Sequence, residues 1–282
     1  MALSDGPDGT DAPGGVAHPV AALRGALGFL TRLPVGGREA DWAAFRATPV
    51  AFPLVGYLVG ALAALPFVLL PTAAVPAPAV AAAFLAWVYV LTGINHVDGL
   101  ADLGDAAVVH GGRERRLGVL KDTTAGVGAL LAVVLVVAGL ALAGLSLARL
   151  ALADGVPGQS VAGLPLRAVG IVVAAEVGAK LGMAALAGLG TAATDGLGAQ
   201  LTERSSPAAL ALPAAAAVPA AAIAWPSPGG VIALLAAVLV AFGLWRWARA
   251  NLGGINGDVM GAANELGRVA GLHAGVIAWT LS

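Results

Sequence analysis

The chain has 282 residues, a formal net charge of −1 and no cysteine, which excludes disulfides, thiolate metal sites and a cysteine nucleophile. Only 11% of its residues are charged and 59% are hydrophobic, with a mean hydropathy of +0.89. Soluble domains carry about 25% charge, so the composition excludes a soluble globular fold and predicts an integral membrane protein.

Residues 1–19, MALSDGPDGTDAPGGVAHP, are polar, acidic and rich in Gly and Pro. They lack the basic start and apolar stretch of a signal peptide and read as a disordered leader, leaving 20–282 as one membrane-embedded domain. Val20–Val35 is short and interrupted by Arg24 and Arg32, which predicts an interfacial helix rather than a span. Runs near twenty apolar residues follow at Val50–Leu70, Pro76–Asn95, Gly126–Leu150, Pro165–Leu189, Pro207–Trp225 and Gly229–Ala248, with a weaker one at Leu266–Leu281. Frequent Gly and Ala favour close helix–helix packing. The predicted fold class is all-α: a polytopic membrane helix bundle of six or seven transmembrane helices with an N-terminal interfacial helix.

If successive spans alternate direction, the N-terminus and the loops after spans two, four and six share one side. Twelve of the fifteen Lys and Arg residues fall there, Arg268 among them; Arg149 and Arg167 lie opposite and Lys180 lies within a span. That bias makes the crowded side cytoplasmic. The polar clusters that follow fall on the same side.

Gly93 to Asp105 reads GINHVDGLADLGD. On a helix, Asp98, Asp102 and Asp105 lie within about 60° of one another. No Lys or Arg stands among them, so they repel one another unless a cation is held. Hard divalent ions such as Mg²⁺ take carboxylate oxygens and leave positions open for substrate phosphates. The plainer alternative is a helix start at Asp98-Gly99 with solvated carboxylates. His96, at a span boundary, reads first as a hydrogen-bonding structural group.

Arg113, Arg115, Arg116 and Lys121-Asp122 come next. Arginine forks and a lysine point charge suit anionic oxygens, although a juxtamembrane basic patch uses the same residues. Their nearness to the acidic face favours phosphoryl transfer, whose charge must be neutralised from several directions. In GGINGDVMGAANE, from Gly253 to Glu265, Asp258 and Glu265 stand at i and i+7 with Gly261 and Ala262 between them. The segment reads as the second half of one metal site or as a plain turn feeding a helix. Glu176 and Lys180, at i and i+4 inside the fourth span, read as a self-neutralising pair, with a place in a substrate cleft as the alternative.

Taken in order, FLTRLP (Phe29–Pro34), HVDGLADLGDA (His96–Ala106), Lys121-Asp122 with Gly126 and Gly128, Asp195-Gly-Leu-Gly, and GGINGDVMGAANEL (Gly253–Leu266) resemble the cobalamin synthases, the adenosylcobinamide-GDP ribazoletransferases. The likeness covers nearly the whole chain after the leader. It implies a multi-pass enzyme of the cell membrane, its single catalytic domain facing the cytoplasm and dependent on Mg²⁺. Such an enzyme joins adenosylcobinamide-GDP to α-ribazole or its 5′-phosphate, giving adenosylcobalamin or its phosphate and GMP, late in cobalamin biosynthesis.

The same resemblance implies metal ligation by Asp98, Asp102, Asp105, Asp258 and Glu265, and phosphate contacts from Arg113, Arg116 and Lys121. Catalytic roles fall to Asp98, Asp102, Lys121 and Asp122, the last as a base or as a partner of Lys121. The implied partners are the corrinoid and ribazole substrates and the lipid bilayer, with no nucleic acid. A homo-oligomer, or association with other corrinoid-assembly enzymes, is compatible with it. The family usually has Lys-Asp-Ser-Arg where this chain has Lys121-Asp122-Thr123-Thr124, and Thr-Gly-Asp where it has Asn256-Gly257-Asp258.

Two other classes fit less well. The CDP-alcohol phosphatidyltransferase pattern, D-x-x-D-G-x-x-A-R then G-x-x-x-D-x-x-x-D, meets Asn95 at its first acid, lacks its arginine, and has Gly126 at its last acid. An ion-coupled transporter usually places its acids near the midplane of repeated halves, whereas these cluster on one side.

Overall fold

The computed structural model describes residues 19–154 and 165–282; the leader expected over 1–19 lies, up to residue 18, outside the described residues. Among the described residues all the regular structure is helical, apart from one isolated parallel bridge between Ala192 and Ile255. The chain begins with α1 (Pro19–Leu30) and α2 (Glu39–Arg46). α1 buries Ala22, Ala26 and Leu30, one face at i, i+4 and i+8. The Arg24 guanidinium donates to both carboxylate oxygens of Asp41, at 3.1 and 2.8 Å, and this contact holds the Asp41 carboxyl below its ordinary range.

α3 (Ala51–Ala63) and α4 (Leu65–Leu69) form one apolar run. α5 (Ala77–Thr92) and α6 (Asn95–Val108) meet at a bend of 96°. Gly93 makes that bend: its φ of +72° ends α5 in a conformation that side chains resist. A Cβ there would also stand 2.8 Å from the Arg32 side chain. The acidic motif therefore runs nearly perpendicular to the helix before it.

The remaining elements are α7 (Arg113–Val119), α8 (Val127–Asp154), α9 (Leu166–Leu189), α10 (Leu197–Thr202), α11 (Ala211–Ala222), α12 (Gly229–Asn251) and α13 (Gly257–Thr280). Among the described residues, four runs are long and apolar enough to cross a membrane: Ala51–Leu69, Val127–Ala153, Leu166–Leu189 and Gly229–Asn251. The bent α5–α6 pair makes a fifth if it counts as one span. This is the fold of a polytopic membrane protein, and the number is below the six or seven expected. Pro207–Ala222 is a shorter apolar helix, and α13 starts at Gly257, ahead of the run expected from Leu266.

α9 is the axis of the bundle and is buried along most of its length. Small residues let its neighbours come close. On α3, Cβ atoms at Gly56 and Gly60 would stand 2.8 and 2.7 Å from the Cα atoms of Val177 and Val173. α12 meets α9 at Gly178 and Gly182, and α13 meets it at Gly271 and Gly275. α13 in turn packs on α6, which brings the last motif of the chain against the first acidic one.

Candidate active site at the acidic end of the bundle

Gly99 sets the junction of α6 and α13. A Cβ on it would lie 2.8 Å from the Cα of Asp258, so only glycine lets the two backbones touch there. The contact gathers acids from opposite parts of the chain: Asp98, Asp105 and Asp258 all act electrostatically on Asp102. Asp98 is exposed and Asp102 half-buried. Among the described residues, neither carboxylate has a hydrogen bond or an ion pair.

Asp258 sits at the N-terminus of α13 and is held by its neighbour. Asn256 Nδ2 donates to the Asp258 carboxylate at 2.7 Å, and Asn256 Oδ1 caps the helix by accepting from the Val259 N–H at 3.0 Å. The departure at position 256 thus keeps both the cap and a hold on the acid.

Asp105 has a second task. Its carboxylate accepts from the backbone N–H groups of Gly126, at 2.6 Å, and Ala129, at 2.9 Å. It caps the positive end of α8 from another helix. This explains Gly126 and Gly128, where a Cβ would stand 2.6 and 2.9 Å from Asp105 Oδ1.

The other motifs meet at the same end. Ile255 donates to the Thr191 carbonyl at 2.7 Å and accepts from the Ala193 N–H at 2.9 Å. Gly198, in the segment after Asp195, would place a Cβ 2.6 Å from the Asn256 Cα. Gln200 accepts from Trp42 Nε1 at 2.8 Å and from Arg46 at 3.1 Å, and Phe29 lies against His96 with ring centroids 6.5 Å apart.

Of the predicted phosphate-binding residues, Arg113 is exposed and its guanidinium lies over Gly253, where a Cβ would come within 2.1 Å of it. Gly253 has a φ of +78°, so both backbone and space require glycine. Arg113 and Lys121 line one cleft of about 520 Å³ together with Glu114, Leu117 and Gly118. Arg116 does not open to it in the same way: its Nη1 donates to the carbonyls of Ala106 and Ala107, tying α7 to the C-terminal end of α6. Asp122 accepts from the backbone N–H and hydroxyl of Thr124, at 3.0 and 2.8 Å. These bonds lower its carboxyl below the ordinary carboxylate range.

Glu265 is not with the acids. Both of its oxygens accept from Arg268, at 2.8 and 2.9 Å, and Oε1 also accepts from Asn264 at 3.0 Å. Arg268 reaches on to Glu176, which pairs with Lys180. Asn264 Nδ2 also meets His96 Nδ1 at 3.2 Å. This corrects two readings. Glu265 belongs to a buried neutral quartet with Glu176, Lys180 and Arg268, and Arg268, 1% exposed, does not count among the cations on the crowded side. The Glu176–Lys180 pairing is as expected; its partners on α13 were missed, although the i, i+3 spacing of Glu265 and Arg268 was there to read.

Among the described residues no group of three His, Asp or Glu side chains forms a ready-made metal cage. The donor chemistry of Asp98, Asp102 and Asp258 nonetheless fits a hard divalent cation that keeps water or takes ligand oxygens. These are carboxylates on two touching helices, two of them with no partner.

An apolar helical bundle with an uncompensated acidic edge and a cationic cleft at one end has the build of a membrane protein with a charged site. Residues 22–276 match the family model described as cobalamin-5-phosphate synthase. The chain is 55% identical over 262 residues to a protein of Halorubrum lacusprofundi named adenosylcobinamide-GDP ribazoletransferase, covering 93% of this chain and 98% of that one. A Haloquadratum walsbyi protein of the same name is 44% identical over 93% of this chain and 99% of its own, and one from Methanosarcina barkeri is 32% identical over 89% and 90%. No solved structure matches. The chain belongs to the cobalamin-5-phosphate synthase family and is a transferase.

Proposed function

We propose that this chain joins adenosylcobinamide-GDP to α-ribazole 5′-phosphate, or to α-ribazole itself, and releases GMP. The relatives carry that enzyme name over nearly their whole length. The observation that carries the reading is the meeting of Asp98, Asp102 and Asp258, unneutralised by any cation of their own, at the end of the bundle where Arg113 lies over Gly253.

The reaction is attack of a ribose hydroxyl oxygen on a diphosphate phosphorus, with cleavage of the phosphorus–oxygen bond to the GMP leaving group. Asp98, Asp102 and Asp258 would hold Mg²⁺, which supplies neutralising charge to the diphosphate when bound. Arg113 offers a bidentate fork and Lys121 a mobile point charge to phosphate oxygens across their shared cleft. Positioning and charge neutralisation supply most of the rate. Asp105 and Arg116 hold the ends of α8 and α6, and Asp122 orders the turn after Lys121. The site faces the cytoplasm on this reading, because Arg113, Arg115, Arg116 and Lys121 follow the acidic helix and Arg246 and Arg249 precede Gly253, crowding basic residues beside the two acidic motifs.

The test is turnover by purified protein in liposomes with adenosylcobinamide-GDP and Mg²⁺, offering α-ribazole or its 5′-phosphate. Stoichiometric GMP and corrinoid product, abolished by excess chelator, is expected. Folded protein that forms no product with either acceptor would refute the reaction, and full turnover in chelator would refute the metal.

A further inference from the structure

The last turns of α12 carry Trp245, Arg246, Trp247 and Arg249, remote in role from every group used above. α12 is one of the runs able to cross a membrane. Its buried stripe is Ala233, Ala237, Ala241 and Ala248. On the opposite side Leu235, Leu239 and Phe242 are 49, 67 and 39% exposed. Arg246 and Arg249 continue that exposed stripe: with Leu235, Leu239 and Phe242 they stand at i, i+4, i+7, i+11 and i+14, within an arc of about 80°. The face that would meet hydrocarbon therefore ends in two arginines.

These arginines are arranged and unneutralised. Arg249 lies over the Trp245 ring, its guanidinium carbon 5.0 Å from the centroid, which holds the cation while leaving its outer N–H groups open. Trp245 is itself fixed by donating from Nε1 to the Leu189 carbonyl at 3.3 Å. Neither arginine has an ion pair among the described residues. Trp245, Arg246, Arg249 and Ala250 enclose a cleft of about 340 Å³. A membrane surface meets such a site with phosphate esters, and tryptophan favours that depth.

We propose that this cleft is a seat for the headgroup of an anionic phospholipid. The phosphate is held between Arg246 and Arg249, and the acyl chain runs along Phe242, Leu239 and Leu235. Continuity of the cationic cleft with the exposed apolar stripe favours a lipid over a soluble phosphate, which would have no use for the stripe.

The full-length protein would be released into native mass spectrometry from micelles holding equal amounts of phosphatidylglycerol and phosphatidylcholine. Preferential retention of phosphatidylglycerol is expected. Arg246→Gln and Arg249→Gln should each reduce the preference about fivefold, and the double substitution should abolish it. Arg204→Gln, also exposed and basic, should leave the preference intact. The single variants keep the test decisive if the double variant does not fold. Equal retention of the two lipids, or a preference that survives both single substitutions, would overturn the proposal. So would displacement of the lipid by millimolar pyrophosphate together with a raised KM for the nucleotide substrate in the variants, because the cleft would then serve the soluble substrate.

Discussion

Two groups of charges share this apolar bundle, and they are settled in opposite ways. Glu176, Lys180, Glu265 and Arg268 are at most 2% exposed and satisfy one another: two acids, two bases, joined through α9 and α13. Asp98, Asp102 and Asp258 stand at the end of the bundle with no cation among them. Charge that carries its own partner holds helices together; charge left without one is available to a ligand.

The largest effect expected from this contrast is on turnover. Asp98→Asn should lower GMP release about a hundredfold or more while the melting temperature stays within a degree or two of the parent, since that side chain holds nothing in the fold. Turnover near normal would remove Asp98 from the site. The buried quartet should respond in the other direction. Arg268→Met leaves two carboxylates facing one lysine and should cost about 3–5 kcal/mol of stability, read as a marked fall in melting temperature. Glu176→Gln combined with Lys180→Met keeps the quartet neutral and should cost less than Lys180→Met alone. Equal losses in all three would mean that neutrality is not what matters there.

Smaller effects test the joints between the two regions. Gly99→Ala inserts a methyl 2.8 Å from the Asp258 Cα and should cost about 1–3 kcal/mol by overpacking, with turnover falling as α6 and α13 separate. At the far end of the scale, Asp41 is held ionised by Arg24, so its contribution is present above the unfolded carboxyl pKa of about 3.9. It is lost as pH falls through the lower folded value. Asp41→Asn should therefore flatten the acid limb of a stability–pH curve, a small effect for a pair at the surface.

Much of this was legible in the sequence. Apolar runs placed the long helices, and the i, i+4, i+7 spacing put the acids of α6 on one face. What periodicity cannot give is depth and the identity of the facing neighbour. Glu265 shares a face with Asp258 but lies seven residues further on, about 10 Å down the helix axis, where α9 offers Glu176 to the same arginine. Asp105 is as far from Asp98 along α6, and it meets the start of α8 instead of α13. The bend at Gly93 was hidden for a similar reason: a glycine between two helical patterns marks a break without giving its angle. The motifs themselves carried the family, because five of them in order leave little freedom.

The most direct test of the open acidic edge is Mn²⁺ binding, followed by electron paramagnetic resonance on the folded protein in nanodiscs, with and without pyrophosphate as a phosphate probe. A single bound Mn²⁺ is expected, tightened by pyrophosphate, lost in Asp98→Asn and Asp258→Asn and retained in Glu265→Gln. Binding that survives both aspartate substitutions, or that disappears only with Glu265, would contradict the division between the two groups of charge.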